Sequence, residues 1–296
     1  MRSKHFLRNK VVTVTGASGS IGSALCRRIA KQKPKLLVLL DQDESGIFDI
    51  YEELKETCRV DYVIASIREL DVLFEVFKKY KPEYVFHCAA LKHVSLMERW
   101  PDEARKTNID GLNNVIDAAK LGDVKKFVFI STDKAVNPSC VMGETKKEGE
   151  KICMEANEDV FGRKVEFMVV RFGNVLASAG SVVEIWRKQI EENKPITITD
   201  KRMKRYTMGI YDAVELILQV AQYGDGGCKY ALDMGDQLPI LELAKTMVKL
   251  SGKDIKIRYI GCKSGEKLSE ELYDKNSEKL IWFRNGIFQI CQKDNT

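Results

Sequence analysis

A glycine-rich turn directly after an apolar run is the feature that most limits the fold of this chain. Val11 to Thr15 is apolar and β-branched, which predicts a buried strand. The motif Gly16-x-x-Gly19-x-x-Gly22 follows it, and a helix is predicted from about Ile21 to Lys31. A tight glycine turn that opens a helix offers free N–H groups and a positive dipole end to a pyrophosphate. This context predicts a dinucleotide-binding domain.

Strands and helices are predicted to alternate along the first half of the chain. Further apolar runs predict strands at Leu36 to Leu40, Val60 to Ala65, Tyr84 to His87, Phe127 to Ile130 and Val165 to Arg171. Such alternation is typical of an α/β fold with a doubly wound parallel sheet, the Rossmann fold. Residues 1–172 are expected to form the dinucleotide-binding domain. Residues 173–296 are expected to form mainly a smaller C-terminal lobe, with segments that return to the main sheet.

The end of the second predicted strand carries a carboxylate that selects between two cofactors. Asp41 lies roughly 20 residues beyond the last glycine, where an acidic side chain binds the adenosine ribose hydroxyls. Gln42, Asp43 and Glu44 follow and none is basic, so a ribose 2′-phosphate would be repelled. We therefore expect NAD rather than NADP. The alternative is that Asp41 only caps the next helix.

A polar stretch follows the fifth predicted strand. Thr132, Asp133 and Lys134 come directly after that strand, at the edge where open α/β sheets bind their ligands. Met142 and Lys146 are four residues apart in the next predicted helix and share one face of it. A hydroxyl, a carboxylate and two amines are therefore expected to converge on one crevice. The alternative is a solvated loop and a solvated helix face.

Together with residues 15–22 and 87–94, the stretch 131–146 resembles the extended short-chain dehydrogenase/reductases. It looks most like the UDP-N-acetylglucosamine 4,6-dehydratase group of polysaccharide biosynthesis, and the resemblance runs from about Val11 to Leu272. The run Ser-Thr-Asp-Lys-Ala with Met-Gly-x-x-Lys is specific to that group. The resemblance implies a lyase that converts UDP-N-acetylglucosamine to UDP-4-keto-6-deoxy-N-acetylhexosamine through transient oxidation at C4 by bound NAD.

The resemblance also implies roles for the polar stretch. Asp133 would give a proton to the departing 6-hydroxyl, and Lys134 would remove the C5 proton. Thr132 would hydrogen-bond the 4-oxygen of the sugar. For Lys134 to act as a base near neutral pH, its pKa has to fall, and desolvation, Lys146 and the charge of the cofactor are expected to lower it.

Met142 departs from the pattern of most short-chain dehydrogenases, which have a tyrosine four residues before the lysine. Methionine has no proton to exchange. The O4 proton would then go to Lys146, to Asp133 or to water held by Thr132, and the sequence leaves these three open. Part of the resembling group has the same methionine, so activity is not excluded.

The remaining implied contacts fall around two ligands. On the cofactor side the resemblance implies contacts from Gly16, Ser18, Gly19, Ser20, Ile21, Gly22, Asp41, Ser66, Ile67, Ala89, Ala90 and Lys146. On the substrate side it implies contacts from Lys92, Asn174, Ser181, Arg205, Arg258 and Glu266.

Two other functions stay open at this point. A UDP-sugar 4-epimerase would need the same oxidation at C4 but no acid–base pair at C5 and C6, so Asp133 and Lys134 argue against it. A non-catalytic dinucleotide-binding protein would explain the missing tyrosine. It would not explain why Asp133, Lys134 and Lys146 occur together.

Composition excludes several other classes. The net charge of +5, from 48 basic and 43 acidic residues, is too mild to indicate a nucleic-acid partner. The eight cysteines show no close pairs, and the three histidines lack zinc-ligand spacing. We therefore expect free thiols in a reducing compartment, hence the cytoplasm, and no metal.

The sequence also gives expectations about membrane association and about the oligomeric state. No apolar run approaches membrane-spanning length and no signal h-region is evident. The chain is thus expected to be soluble, or a piece of a longer membrane-anchored parent. Helices are predicted at Pro101 to Leu121 and Met142 to Glu158. In the resembling family such a pair forms a four-helix dimer interface, which implies a homodimer or a higher homo-oligomer.

Overall fold

The computed structural model describes residues 5–157, 165–176, 178 and 180–293. The elements of the first half are β1 (Val11–Thr15), α1 (Ser20–Ala30), β2 (Leu36–Asp41), α2 (Glu44–Leu54), β3 (Val60–Ile64), α3 (Leu70–Tyr80), β4 (Tyr84–His87), α4 (Val94–Met97), α5 (Pro101–Arg105), α6 (Gly111–Leu121), β5 (Lys126–Ile130), α7 (Val141–Glu155) and β6 (Glu166–Arg171). Those of the second half are β7 (Asn174–Val175), α8 (Val182–Glu191), β8 (Ile196–Ile198), β9 (Lys204–Arg205), β10 (Thr207–Met208), α9 (Ile210–Tyr223), β11 (Cys228–Leu232), β12 (Leu238–Pro239), α10 (Ile240–Ser251), β13 (Ile257–Tyr259), β14 (Glu278–Arg284) and β15 (Ile287–Gln292).

The main sheet has nine strands in the order β14-β15-β11-β6-β5-β4-β1-β2-β3. The strands from β11 to β3 run parallel, and β15 and β14 complete the sheet as an antiparallel hairpin. The strand order reverses between β1 and β4, and ligands of doubly wound folds bind outside the strand ends at such a point. The predicted α/β fold with a doubly wound parallel sheet is confirmed.

Helices cover both faces of this sheet. Residues of α1, α2 and α9, such as Leu25 and Ile217, form one buried cluster with β1, β2 and β6. Residues of α3, α6 and α7, such as Leu73 and Val115, form a second cluster on the opposite face. Because both faces are covered, the inner strands β1, β2, β4 and β5 are apolar along nearly their whole length rather than at alternate positions.

A smaller lobe packs around Trp186. Helices α8 and α10 and strands β8 and β13 enclose its fully buried side chain, whose Nε1 donates to the Thr197 carbonyl oxygen at 2.8 Å. Strand β11, helix α9 and the hairpin β14–β15 belong to the second half of the chain but extend the main sheet or pack on it. Segments therefore return to the main sheet, and the boundary at residue 172 stays a prediction.

The predicted single helix from Pro101 to Leu121 is wrong in one respect. A π-helical turn, Lys106–Asp110, separates α5 from α6. Asn108 in that turn donates to the Leu91 carbonyl oxygen, accepts from the Leu91 backbone nitrogen and donates to Thr145 Oγ1. A π turn contains one residue more than an α-helical turn. Here the Asn108 side chain points inward and joins the loop after β4 to α7 through these hydrogen bonds.

Helix lengths limit what else the described chain can do. Helix α7 has 15 residues and ends at Glu155, while the predicted end at Glu158 lies outside the described residues. No helix in the described ranges combines the length and the apolar character needed to cross a bilayer. The expected four-helix dimer interface stays a prediction.

A buried ion cluster joins the elements beneath the sheet's carboxyl edge. Arg171, at the end of β6, has a side chain only 4% exposed, and its Nε donates to Glu150 Oε1 at 2.7 Å. Its Nη1 donates to Glu278 Oε2 at 2.7 Å, and Lys229 also pairs with Glu278. Ser131 Oγ donates to Glu150 Oε1 at 2.6 Å. Burial would raise the pKa of Glu278, but the hydrogen bond and charge of Arg171 outweigh burial and lower it to about 2.

Replacing Arg171 should therefore destabilise the protein strongly. Arg171→Met would remove the cation that Glu150 and Glu278 share, and breaking such a buried cluster costs about 3–5 kcal/mol. Urea unfolding at pH 7, followed by circular dichroism, measures this loss. Arg27→Met is the control, because Arg27 and Glu53 form an exposed pair worth about 0–1 kcal/mol.

The same experiment has a pH dependence with a defined sign. The folded pKa of Glu278 lies below its ordinary value of 4.5, so its stabilising contribution is present above about pH 4.5 and is lost as the pH falls toward 2. The difference in the free energy of unfolding between wild type and Arg171→Met should therefore become smaller as the pH is lowered. Equal losses for Arg171→Met and Arg27→Met at pH 7 would contradict this account.

Candidate active site

The glycine turn between β1 and α1 packs directly against the chain that follows β4. Gly16 has a φ of +69°, and a Cβ there would lie 2.6 Å from the Ala89 backbone nitrogen. A Cβ at Gly22 would lie 1.9 Å from the Gly16 carbonyl oxygen. Both positions therefore require glycine. Ser20 and Ile21, the first residues of α1, line the cleft that opens beside this turn.

Asp41, the last residue of β2, lies on the other side of the turn. Its Oδ2 accepts from the Ser18 backbone nitrogen at 3.0 Å and from Ser18 Oγ at 2.7 Å. Both residues line a cavity of about 230 Å³, together with Ser66, Ile67 and Ala89. No basic side chain is among the described residues that line this cavity. The arrangement suits a ribose with free hydroxyls better than one with a 2′-phosphate.

A larger cleft of about 590 Å³ adjoins this cavity and shares Gly16, Gly19, Cys88, Ala90 and Leu91 with it. Its walls come from the carboxyl edge of the main sheet and from the smaller lobe. Most of the predicted site residues line it, namely Gly16, Gly19, Ser20, Ile21, Gly22, Ala90, Lys92, Thr132, Lys134, Met142, Lys146, Asn174 and Ser181.

The residues after β5 form a compact polar turn at this cleft. Lys134 Nζ donates to Asp133 Oδ1 at 2.9 Å and to Asn174 Oδ1 at 3.2 Å. Thr132 Oγ1 also donates to Asp133 Oδ1 at 2.9 Å. Asp133 is fully buried, and its Oδ2 has no hydrogen-bond partner in the described part of the chain. Thr132 and Lys134 therefore line the cleft, while the carboxylate lies behind them.

The expected direction of the Lys134 pKa shift is wrong. Burial does lower the pKa of Lys134, but the charges of Asp133 and Glu270 and the hydrogen bond to Asp133 outweigh burial and raise it. Glu270 Oε1 lies 3.8 Å from Lys134 Nζ. A buried amine between two carboxylates retains its proton more firmly than a free lysine does.

Met142 and Lys146 lie on one face of α7, as predicted, and both are buried. Met142 packs against Met97, Ala104 and Cys140. Lys146 Nζ lies 4.2 Å from the centroid of the Phe129 ring. Burial lowers the pKa of Lys146 to about 8. Lys146, one helical turn beyond Met142, therefore loses its proton far more readily than an ordinary lysine does.

Three predicted substrate-binding residues lie away from the lining of this cleft. Arg205 is buried and donates to the carbonyl oxygens of Lys204, Lys267 and Leu268. Arg258 is exposed on β13. Glu266 Oε2 accepts from the Lys263 backbone nitrogen at 3.0 Å. Their roles toward a substrate stay predictions.

The sequence alone does not identify Glu270 or Glu98. Glu98 Oε1 accepts from the Val141 backbone nitrogen at 2.8 Å and so caps the start of α7. Glu270 reaches Lys134 from a segment far along the chain. Neither contact has a signal in spacing, since each depends on how distant segments pack.

A cavity of about 820 Å³ elsewhere is larger than the cleft. It is lined by residues of α7, by residues 135–138 and by strands near the β15 edge. None of the predicted site residues lines it, and its buried charges Glu150, Arg171, Lys229 and Glu278 pair with one another. Among the described residues, no group of three His, Cys, Asp or Glu side chains could hold a metal ion. The cleft beside the glycine turn is therefore the candidate active site.

The sequence is similar to several named proteins. Capsular polysaccharide biosynthesis protein CapD of Staphylococcus aureus is 47% identical over 277 residues, which are 91% of this chain and 46% of CapD. A UDP-glucose 4-epimerase of Rickettsia bellii is 36% identical over 271 residues, 89% of this chain and 77% of that protein. The UDP-N-acetylglucosamine 4,6-dehydratase (inverting) of Campylobacter jejuni is 32% identical over 283 residues, 95% of this chain and 82% of that enzyme.

The fold is similar to solved structures as well. The structure of Pen from Bacillus thuringiensis matches with a TM-score of 0.89 and 35% identity, covering 98% of this chain and 90% of Pen. The chain spans about half the length of CapD, since the match covers 46% of that protein. The family model described as "Polysaccharide biosynthesis protein" matches residues 12–290. The chain therefore belongs to the polysaccharide biosynthesis protein family.

Proposed function

We propose that the protein is a nucleotide-sugar 4,6-dehydratase that acts on UDP-N-acetylglucosamine. The observation that carries this proposal is the 2.9 Å contact between Lys134 Nζ and Asp133 Oδ1 beside the cleft. Loss of water across C5 and C6 requires a base at one carbon and an acid at the oxygen on the next. A carboxylate and an amine that share one proton supply both. The similarity to the Campylobacter jejuni dehydratase supports the same reaction.

The cofactor in this proposal is NAD. The turn at Gly16 and Gly22 leaves no space for a Cβ, so its backbone can approach a pyrophosphate closely. Asp41 and the non-basic cavity beside Ser66 suit the adenosine ribose and adenine. When bound, NAD would supply the redox chemistry by accepting a hydride from C4 and returning it at C6. Lys146, at the inner end of the cleft, would contact the other ribose.

Proton transfer between Asp133 and Lys134 generates the reacting pair. Moving the shared proton from Lys134 to Asp133 gives a neutral amine and a carboxylic acid. The amine removes the C5 proton, the C5–C6 double bond forms and the C6–O bond breaks. The departing 6-hydroxyl takes the proton of Asp133, through the Thr132 hydroxyl that lies 2.9 Å from it and lines the cleft. Water leaves with Lys134 protonated and Asp133 ionised. Lys134 would give its proton back to C5 as the hydride returns to C6, and the proton taken from O4 would then restore the Asp133–Lys134 ion pair.

Lys146 is our choice for the O4 proton, since Met142 has none to exchange. With a pKa of about 8, about one tenth of the Lys146 amines are neutral at pH 7, compared with about one in a thousand or fewer for an ordinary lysine. The activity should therefore rise with pH up to about 8.

Asn174 and Ser181 face the same cleft, and the buried Ser181 Oγ has no hydrogen-bond partner among the described residues. These two are our choice for contacts to the nucleotide sugar.

A UDP-sugar 4-epimerase is the second candidate. The similarity to the Rickettsia bellii epimerase, at 36% identity, favours it. An epimerase shares the cofactor and the C4 chemistry but moves no proton at C5. The Asp133–Lys134 pair would then have no chemical step to perform.

Incubation of the protein with UDP-N-acetylglucosamine and NAD distinguishes the two candidates. A dehydratase yields a product lighter by one water, which mass spectrometry detects. An epimerase yields a product of unchanged mass with the configuration at C4 inverted, which proton NMR detects. Unchanged substrate under conditions where NAD binds would contradict both.

Lys134→Ala should abolish most of the water loss. A general base contributes about 10²–10⁴-fold to a rate, so the variant should lose activity on that scale while it still binds UDP-N-acetylglucosamine. Lys78→Ala, which removes a lysine with a side chain 78% exposed, is the control and should keep the full rate. A Lys134→Ala protein with the wild-type rate would remove Lys134 from the mechanism.

Met142 should act by packing alone. Met142→Leu nearly conserves volume and stays apolar, so it should cost less than about 1.5 kcal/mol of stability and little activity. A loss of about 10²–10⁴-fold with the fold and NAD binding intact would show a direct role for the thioether. Met142→Tyr, assayed over a pH series, tests whether a tyrosine beside Lys146 can take over the O4 proton.

A further inference from the structure

Glu270 is a buried carboxylate that the reaction proposed above does not use. The residue is 3% exposed, and its Oε1 lies 3.8 Å from Lys134 Nζ. Its Oε2 lies 3.9 Å from Lys267 Nζ and has no hydrogen-bond partner among the described residues. A buried charge with so few hydrogen bonds is costly. Glu270 lies close to the Asp133–Lys134 pair, so a role in the proposed reaction would explain why such an unfavourable burial is kept.

The segment that carries Glu270 is anchored from several directions. The buried Arg205 donates to the Lys267 and Leu268 carbonyl oxygens. Gln237 Nε2 donates to the Glu270 carbonyl oxygen at 2.7 Å. Lys267 Nζ donates at 2.8 Å to the carbonyl oxygen of Val136, which lies two residues beyond Lys134. The backbone around Glu270 is thus fixed against the smaller lobe and against the residues after β5, so its carboxylate has a defined position.

The charges around Glu270 come from three segments. Burial and the nearby Asp133 raise the pKa of Glu270, while Lys134, Arg205 and Lys267 oppose that rise. On the other side, Glu270 and Asp133 raise the pKa of Lys134 against the effect of burial. The Lys134 amine therefore lies between the carboxylates of Asp133 and Glu270. The positive charges of Arg205 and Lys267 in turn offset part of the negative charge of Glu270.

We propose that Glu270 is a positioning residue that holds the Lys134 ammonium opposite Asp133 and stabilises the positive charge that Lys134 gains when it acts as the base. The inference rests on the proposed dehydratase function. As Lys134 takes the C5 proton, positive charge develops on its nitrogen, 3.8 Å from Glu270 Oε1. The carboxylate stabilises that charge and so makes Lys134 a stronger base. The same attraction reduces the fraction of Lys134 that is neutral before the reaction.

Amine labelling measures the effect without any turnover. Acetic anhydride reacts only with neutral amines, so the pH at which Lys134 becomes half-reactive reports its titration. Peptide mass spectrometry over pH 7–11, with the exposed Lys78 as internal reference, gives that midpoint. In Glu270→Gln, which keeps the shape but removes the charge, we expect the Lys134 midpoint to fall by about one unit or more. Labelling of Lys134 at pH 8 should then rise about tenfold or more.

Glu271→Gln is the matched control. It makes the same charge change one residue away, where Glu271 Oε2 accepts from Asn137 Nδ2 at 3.4 Å in an exposed setting. We expect it to leave the midpoint unchanged. Glu270→Asp keeps the charge but withdraws it by one methylene, so it should shift the midpoint in the same direction by a smaller amount. That variant decides the question if Glu270→Gln does not fold.

The pH dependence of kcat for water loss from UDP-N-acetylglucosamine is the second readout. The acid side of the profile follows Lys146 and should stay in place in Glu270→Gln, while the plateau should fall because the base is weaker. A merely structural role would also lower activity but would leave the Lys134 labelling midpoint unchanged. A Lys134 midpoint equal in wild type, Glu270→Gln and Glu270→Asp would overturn the inference. If wild type loses no water from this substrate, the proposed function fails, whereas the labelling midpoints still decide the role of Glu270.

Discussion

The ion cluster around Arg171 is the interaction on which the rest of the site depends. A guanidinium at the end of β6 is held between Glu150 of α7 and Glu278 of β14 with almost no exposure. Charges this deep are tolerable only when every one is paired, so the strand, the helix and the hairpin edge have to keep one relative position. Ser131 joins the cluster through Glu150, and the turn of Thr132, Asp133 and Lys134 starts at the next residue. The turn that carries the proposed catalytic residues therefore begins directly beside a fully paired cluster.

A second charge cluster, formed by Asp133, Lys134 and Glu270, has fewer of its hydrogen bonds satisfied. Asp133, Lys134 and Glu270 share contacts of 2.9 and 3.8 Å, yet Asp133 Oδ2 and Glu270 Oε2 both lack hydrogen-bond partners among the described residues. Unsatisfied buried oxygens are rare and ask for an explanation. Here both belong to groups that surround one amine beside the cleft. The first cluster joins elements of the fold, and in the proposed reaction the second would supply the proton transfer.

Local patterns predicted much of this protein, and long-range packing accounts for what they missed. The glycine spacing and the apolar run before it required a strand, a turn and a helix, because a Cβ at Gly16 or Gly22 would overlap backbone atoms. The buried parallel strands were evident from continuous apolar runs. The π turn at Asn108 has no such signal, since it depends on the loop at Leu91 and on Thr145 of α7. Glu270 was missed for the same reason.

The two lysines of the site show why residue type alone could not define the chemistry. Lys134, with a side chain 20% exposed, and the buried Lys146 line one cleft, and the sequence predicted that desolvation would lower the pKa of Lys134. Lys146 has no carboxylate within ion-pair distance in the described part of the chain, so burial dominates and its pKa falls to about 8. Lys134 has Asp133 and Glu270 beside it, so charge dominates and its pKa rises. Groups of one type whose pKa values are driven apart can take different parts in one reaction. In the proposed reaction, Lys146 would therefore take the O4 proton in the early, easily reversed step, while Lys134, with a carboxylate beside it to accept its proton, would perform the harder removal of a proton from carbon.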